Sequence, residues 1–247
     1  MSDWQDLKAE LKIWQAEGLS LPFWWRDDDA IAATPALERL GALARSHAMP
    51  VHIAVIPSLL EESLVQAVNT SDTFKVLTHG WAHKNHALSG KKCEFGGDRP
   101  LAVRQQEARD GRDILQAGFG ANAYDVFVPP WNRIADDLTA ELPTLGYEAI
   151  STFTPRSTAT TPEGLHIVNT HLDPIDWRGT RDTVPPAQFA QSAAALLQAR
   201  RMGKDDSTEP LGLLTHHLVH TADIWHTVEA FLDVLMAGPV EAVHPFS

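Results

Sequence analysis

Short apolar runs alternate with amphipathic helical segments along almost the whole chain, and this rhythm restricts the fold more than any other feature. Apolar bursts at 21–26, 51–56, 74–78, 124–128, 147–151 and 211–215 have the length of buried strands. Between them, 3–17, 35–46, 59–68, 101–117, 134–145, 186–201 and 223–236 carry apolar residues at helical spacing, as in Trp4, Leu7, Leu11 and Trp14. Gly18 supplies a stop for the first helix, and Thr34-Pro35 an N-cap and first-turn proline for the second. Extended segments are expected near 165–170 and 174–177. Strand following helix in this way predicts a parallel α/β architecture with helices outside the sheet. No Pro-, Ser- and Gly-rich stretch is long enough to separate two cores, so residues 1–247 are expected to form one domain.

Charge and cysteine content narrow the chemistry. With 20 basic against 32 acidic side chains, the formal charge is −12, which disfavours nucleic acid and anionic membrane surfaces as partners. The single cysteine, Cys93, excludes an internal disulfide or a thiolate-rich metal cluster, so any metal must be held by His, Asp or Glu. The segment MSDWQDLKAELKIWQAEGLS has no apolar run of signal or membrane length, which makes a cytoplasmic location the expectation.

Polar residues gather where strands are expected to end. The first strand runs into Arg26, Asp27, Asp28 and Asp29; a solvated acidic loop is the plainer reading of that run alone. The third delivers His79 and His83, four apart, which share a face if the segment turns helically. Two histidines and one aspartate make a three-ligand set with a position left for water. The fourth leads into Pro129, Pro130, Trp131, Asn132 and Arg133, a stiff and bulky wall. Asp173, Asp176 and Trp177 follow; their carboxylates could cap turns or orient a histidine or arginine. The last strand ends at His216 and His217, of which only one can face a site because side chains alternate along a strand. Trp81, Trp131 and Trp177 are the tryptophans best placed for a groove, whereas Trp24 and Trp225 read as core.

These clusters, in this order over about residues 20–225, resemble the motifs of the polysaccharide deacetylase family, the carbohydrate esterase family 4 or NodB-like group. The resemblance implies a distorted (β/α)7 barrel and a divalent metal, usually Zn2+ and otherwise Co2+ or Ni2+. It implies removal of an acetyl group from an N-acetylated sugar. By the same resemblance Asp27 would be the general base and Asp28, His79 and His83 the metal ligands. His216, with His217 as its rival, would be the general acid. Trp81, Pro130, Trp131, Asp173, Asp176 and Trp177 would line the substrate groove, and a backbone N–H near Pro130 or Trp131 would help support the oxyanion. Where the family carries an arginine that orients the base, this chain has Phe127, and Arg26, Arg133 and Arg178 are the candidates to replace its charge. Competing readings are an amidase acting on a non-sugar substrate, a catalytically weak carbohydrate-binding or regulatory relative, and a structural α/β protein with ordinary turns.

Overall fold

The computed structural model describes residues 3–246. Seven helices alternate with eight strands: α1 (Gln5–Ala16), β1 (Leu21–Ala30), α2 (Pro35–Ser46), β2 (Val51–Val55), α3 (Glu62–Asn69), β3 (Phe74–His79), α4 (Leu101–Phe119), β4 (Ala123–Val128), α5 (Asp136–Glu141), β5 (Ala149–Ile150), β6 (His166–Ile167), α6 (Pro186–Arg201), β7 (Leu211–Thr215), α7 (Ala222–Met236) and β8 (Val240–Ala242). All pair in parallel, in the order β6-β5-β4-β3-β2-β1-β7, with β8 added beside the start of β1. The sheet is open and curled. Between β6 and β7 the gap is narrowed by the extended segment after β6, where Leu172 bridges Leu213 and the His171 N–H donates to the Gly212 carbonyl at 2.8 Å. Gly212 is required there: a Cβ would lie 2.7 Å from the Asn169 carbonyl oxygen and 2.6 Å from Trp24 Nε1.

Alternation along the strands builds two layers. Phe23 and Trp25 of β1, Val51, Ile53 and Val55 of β2, and Leu211 and Leu213 of β7 face the helices in the largest core cluster. Trp24, Ala54, Leu77, Val126 and Val128 point the other way, into the curl of the sheet. The C-terminal segment closes this interior at the amino ends of the strands. Phe246 lies edge-on to Trp24, and His244 Nδ1 lies 2.8 Å from Nε2 of the buried His52.

Several expected elements are altered. β1 runs on to Ala30, so the acidic residues are part of the strand rather than its exit loop. The helix expected at 59–68 starts at Glu62, because a tight turn at Pro57–Leu59 comes first. The one expected at 134–145 shortens to α5 and finishes in 3-10 geometry at Leu142–Leu145, where Pro143 removes a backbone donor. Residues 174–177 form no strand beyond the antiparallel bridge of Ile175 to Thr183 and lead into a turn at 177–180, and β8 was not apparent from the sequence pattern.

Candidate metal centre and active site

The candidate site lies at the carboxyl ends of β1, β3 and β7. On β1, Arg26 and Asp28 share the inward face with Trp24, whereas Asp27 follows Trp25 to the helix side. Asp29 should face outward as well, but it takes φ 73° at the irregularity in β1–β2 pairing between Asp27 and Ala30. This turns its carboxylate inward, where Oδ1 lies 3.1 Å from His79 Nε2 and 3.3 Å from His83 Nε2. The donor atoms of Asp29, His79 and His83 all lie within 4.8 Å of one another.

The donor set fits a divalent cation. His79 Nδ1–H donates to the Val128 carbonyl at 3.0 Å, which leaves Nε2 to present a lone pair toward Asp29. Two imidazole nitrogens and a carboxylate oxygen converging on one point crowd acceptor atoms together unless a proton or a cation lies between them. The electrostatic field at the cluster favours positive charge. Burial opposes a charge on His79, yet Asp28 and Asp29 hold its pKa above the ordinary value; burial also opposes a charge on Asp29, yet His79 holds that carboxyl below the usual range.

The histidines do not meet on a helical face. Residues 80–83 form a tight loop with Gly80 at φ 57° and His83 at φ 53°, which brings the rings to a centroid separation of 5.1 Å. Glu94 builds this loop: its buried carboxylate accepts N–H bonds from Trp81, Ala82 and Lys84 at 3.1, 2.9 and 3.2 Å. Gly80 is the residue that allows the approach, since a Cβ there would lie 2.4 Å from Glu94 Oε2. Sequence reasoning missed Glu94, which stands in an irregular loop; only an isolated acid between Cys93 and Phe95 marked it.

Asp28 was expected among the metal ligands; the structure places Asp29 in that group instead, because the kink at Asp29 brings the third carboxylate round. Asp28 is clamped by Arg26, whose Nε and Nη2 donate to its two oxygens at 2.9 and 3.1 Å. Arg26 also donates to Ser151 Oγ, the Thr152 carbonyl and Asn132 Oδ1, at 2.7, 3.2 and 2.8 Å, so all five of its N–H groups are used. Of the three arginines considered from sequence, Arg26 is the one bonded to an aspartate of the site. Phe127 points to the helix layer, where it packs on Phe95 and Tyr147. The charge of Asp28 is felt by His79, His83 and Asp173.

Asp27, expected to be the base, is committed elsewhere. It is fully buried; Oδ2 accepts from Thr215 Oγ1–H at 2.6 Å and from the His217 N–H at 3.0 Å, and Oδ1 lies 2.5 Å from His217 Nδ1. That places His217 behind the sheet wall, with Thr215 and Trp25. His216 takes the inward position. Its ring lies 4.9 Å from that of Trp177, and it is within charge-interaction range of Asp29 and Asp173. Burial pushes the Asp173 carboxyl up from its ordinary value, and Asp173 accepts from Trp177 Nε1–H at 2.8 Å.

The groove residues divide. Trp131 (φ 56°) lies 4.4 Å from the His83 ring, and Trp177 is 42% exposed beside His216. Trp81 is half-buried against the Phe95 cluster, and Pro130 is buried beneath the turn that presents Trp131. Asp176 caps its own turn by accepting from the N–H groups of Gly179 and Thr180, the turn-capping reading of that residue. Trp24 and Trp225 are core.

The curled parallel sheet has the fold of solved family 4 carbohydrate esterases and polysaccharide deacetylases. Among solved structures, the chain is similar to a family 4 carbohydrate esterase from Streptomyces lividans in complex with acetate, with TM-score 0.58, 14% identity, and 91% of this chain and 92% of that one covered. It is also similar to a polysaccharide deacetylase from Bacillus cereus, with TM-score 0.55, 17% identity, and 92% and 94% covered. A family 4 acetyl xylan esterase from Clostridium thermocellum in complex with a cobalt ion gives TM-score 0.54, 12% identity, and 90% and 86% covered. No protein-family model and no curated protein sequence matches the chain. Among the described residues no helix is long and apolar enough to cross a membrane.

Proposed function

We propose that this protein is a metal-dependent hydrolase that removes an acetyl group from an N-acetylated sugar or a related amide. The observation that carries the reading is the convergence of Asp29, His79 and His83 beside an Arg26-clamped Asp28, with His216 at the end of the neighbouring strand. A divalent ion such as Zn2+, Co2+ or Ni2+ held by those three residues supplies Lewis-acid polarisation of the acyl carbonyl and a lowered pKa for water. Asp28 then acts as the base: Arg26 occupies one lone pair on each of its oxygens, and the remaining ones can take the proton of the attacking water. His216 donates a proton to the departing amine nitrogen, so that amide and water become acetate and a free amine. Trp131 and Trp177 wall the site on either side and offer flat faces to a sugar ring.

The base is thereby moved from Asp27 to Asp28. The test is metal content of untagged protein, followed by acetate release from a panel of N-acetyl sugars in the wild type and in Asp28→Asn. One divalent ion per chain and a loss of about 10²- to 10⁴-fold in Asp28→Asn are expected. Absence of a stoichiometric ion, with no activation by added Zn2+ or Co2+, would overturn the reading.

A further inference from the structure

His216 is flanked by two residues that share one acceptor. Thr215, before it, donates its hydroxyl to Asp27; His217, after it, gives Asp27 both its backbone N–H and its ring. Trp25 Nε1–H donates to Thr215 Oγ1 at 2.8 Å, so the hydroxyl is itself oriented. Asp27 and Thr215 are register partners across β1 and β7, and all of these groups lie on the helix side of the wall. Such an arrangement is an expensive way to gain stability. A buried charged pair is often no better than apolar side chains of the same volume, and His217 Nε2 is left without a hydrogen-bond partner among the described residues. What the arrangement does supply is direction, because the backbone on both sides of His216 is tied to β1 one residue away from Asp28.

We propose that Asp27 is a positioning residue for His216, acting through Thr215 and His217 to hold the acid imidazole opposite the base. The inference rests on the functional reading above. Asp28 is held independently by Arg26, so loosening Asp27 should release the acid and leave the base in place. The consequence depends on the leaving group. An amine must be protonated to depart, whereas an aryl oxide departs without that help.

The test compares N-acetylglucosamine oligomers with 4-nitrophenyl acetate as substrates for the metal-loaded wild type, Asp27→Asn and Asp28→Asn, with metal affinity measured by calorimetry. In Asp27→Asn the ratio of amide to aryl-ester turnover should fall tenfold or more, while metal affinity stays within threefold. Asp28→Asn should lower both reactions together. A merely structural Asp27 scales both with the folded fraction, so a ratio within twofold of wild type overturns the proposal. If Asp27→Asn does not fold, Thr215→Val decides: it removes one of the donors, and the ratio should fall about threefold, an unchanged ratio again overturning the proposal. Failure of the functional reading looks different, since the wild type itself would then hydrolyse neither substrate with metal present.

Discussion

Single side chains decide the chemistry of this site, and Glu94 is the clearest case. Its carboxylate satisfies three N–H groups of the loop that carries His83. Glu94→Gln exchanges one acceptor oxygen for an NH2 group, leaving at least one buried donor opposed by another. A cost of about 1–3 kcal/mol is expected, together with weaker metal binding. Denaturant titration and calorimetric metal titration would check both, and wild-type values for the two would show that the loop is held by other means. Arg26→Lys makes a second residue-scale prediction. One ammonium cannot reproduce the forked contact with Asp28 or reach Ser151 and Asn132 together, so turnover should fall at least tenfold with metal affinity retained. At this scale the sequence was legible in residue type and only partly in position. His79, His83 and the acidic run were visible, but which aspartate joins the histidines depended on a positive φ at Asp29, and nothing in a run of three identical residues shows where the strand kinks.

Whole elements were easier to read, because the period of the apolar residues sets them directly. The failures came where tertiary contacts outweigh local pattern. β8 has only three residues and exists because β1 offers it an unpaired edge; the chain after β6 is held by bridges to β7 rather than by a strand of its own. The segment following β8 makes its own prediction. Burial, helped by His244 and Lys75, lowers the pKa of His52 to about 3. A folded-state value below the unfolded one means that the unfolded chain binds more protons between about pH 3 and 6.5. This contribution is therefore complete above that range and is lost as pH falls through it, by about 1.4 kcal/mol per pH unit. Denaturant unfolding at pH 6 and pH 4.5 should show that slope, and His52→Gln should flatten it; an unchanged slope in the variant would remove His52 as its source.

For the molecule as a whole, a divalent ion held by Asp29, His79 and His83 would be a ligand of the folded state. Its three donors come from β1, β3 and the loop after β3, which the unfolded chain does not hold together. Free ion at 100 times its Kd should therefore add about 2.7 kcal/mol to stability. A rise of several degrees in Tm is expected, reversed by chelation and abolished in His79→Ala. The negative net charge bears on this scale too, since a bound divalent cation offsets part of the carboxylate charge gathered at the strand ends.

The five bonds of Arg26 carry a further consequence, for how such a site can change. One of its acceptors, Asn132, directly follows Trp131 in the turn that walls the groove. A substitution that reshapes this turn also disturbs the guanidinium, and through it the Asp28 carboxylate, which on the proposed function takes the proton of water. On the proposed function, substrate choice and proton transfer would thus be inherited together, so new specificities should arise more readily from the Trp177 side of the groove than from the Trp131 side.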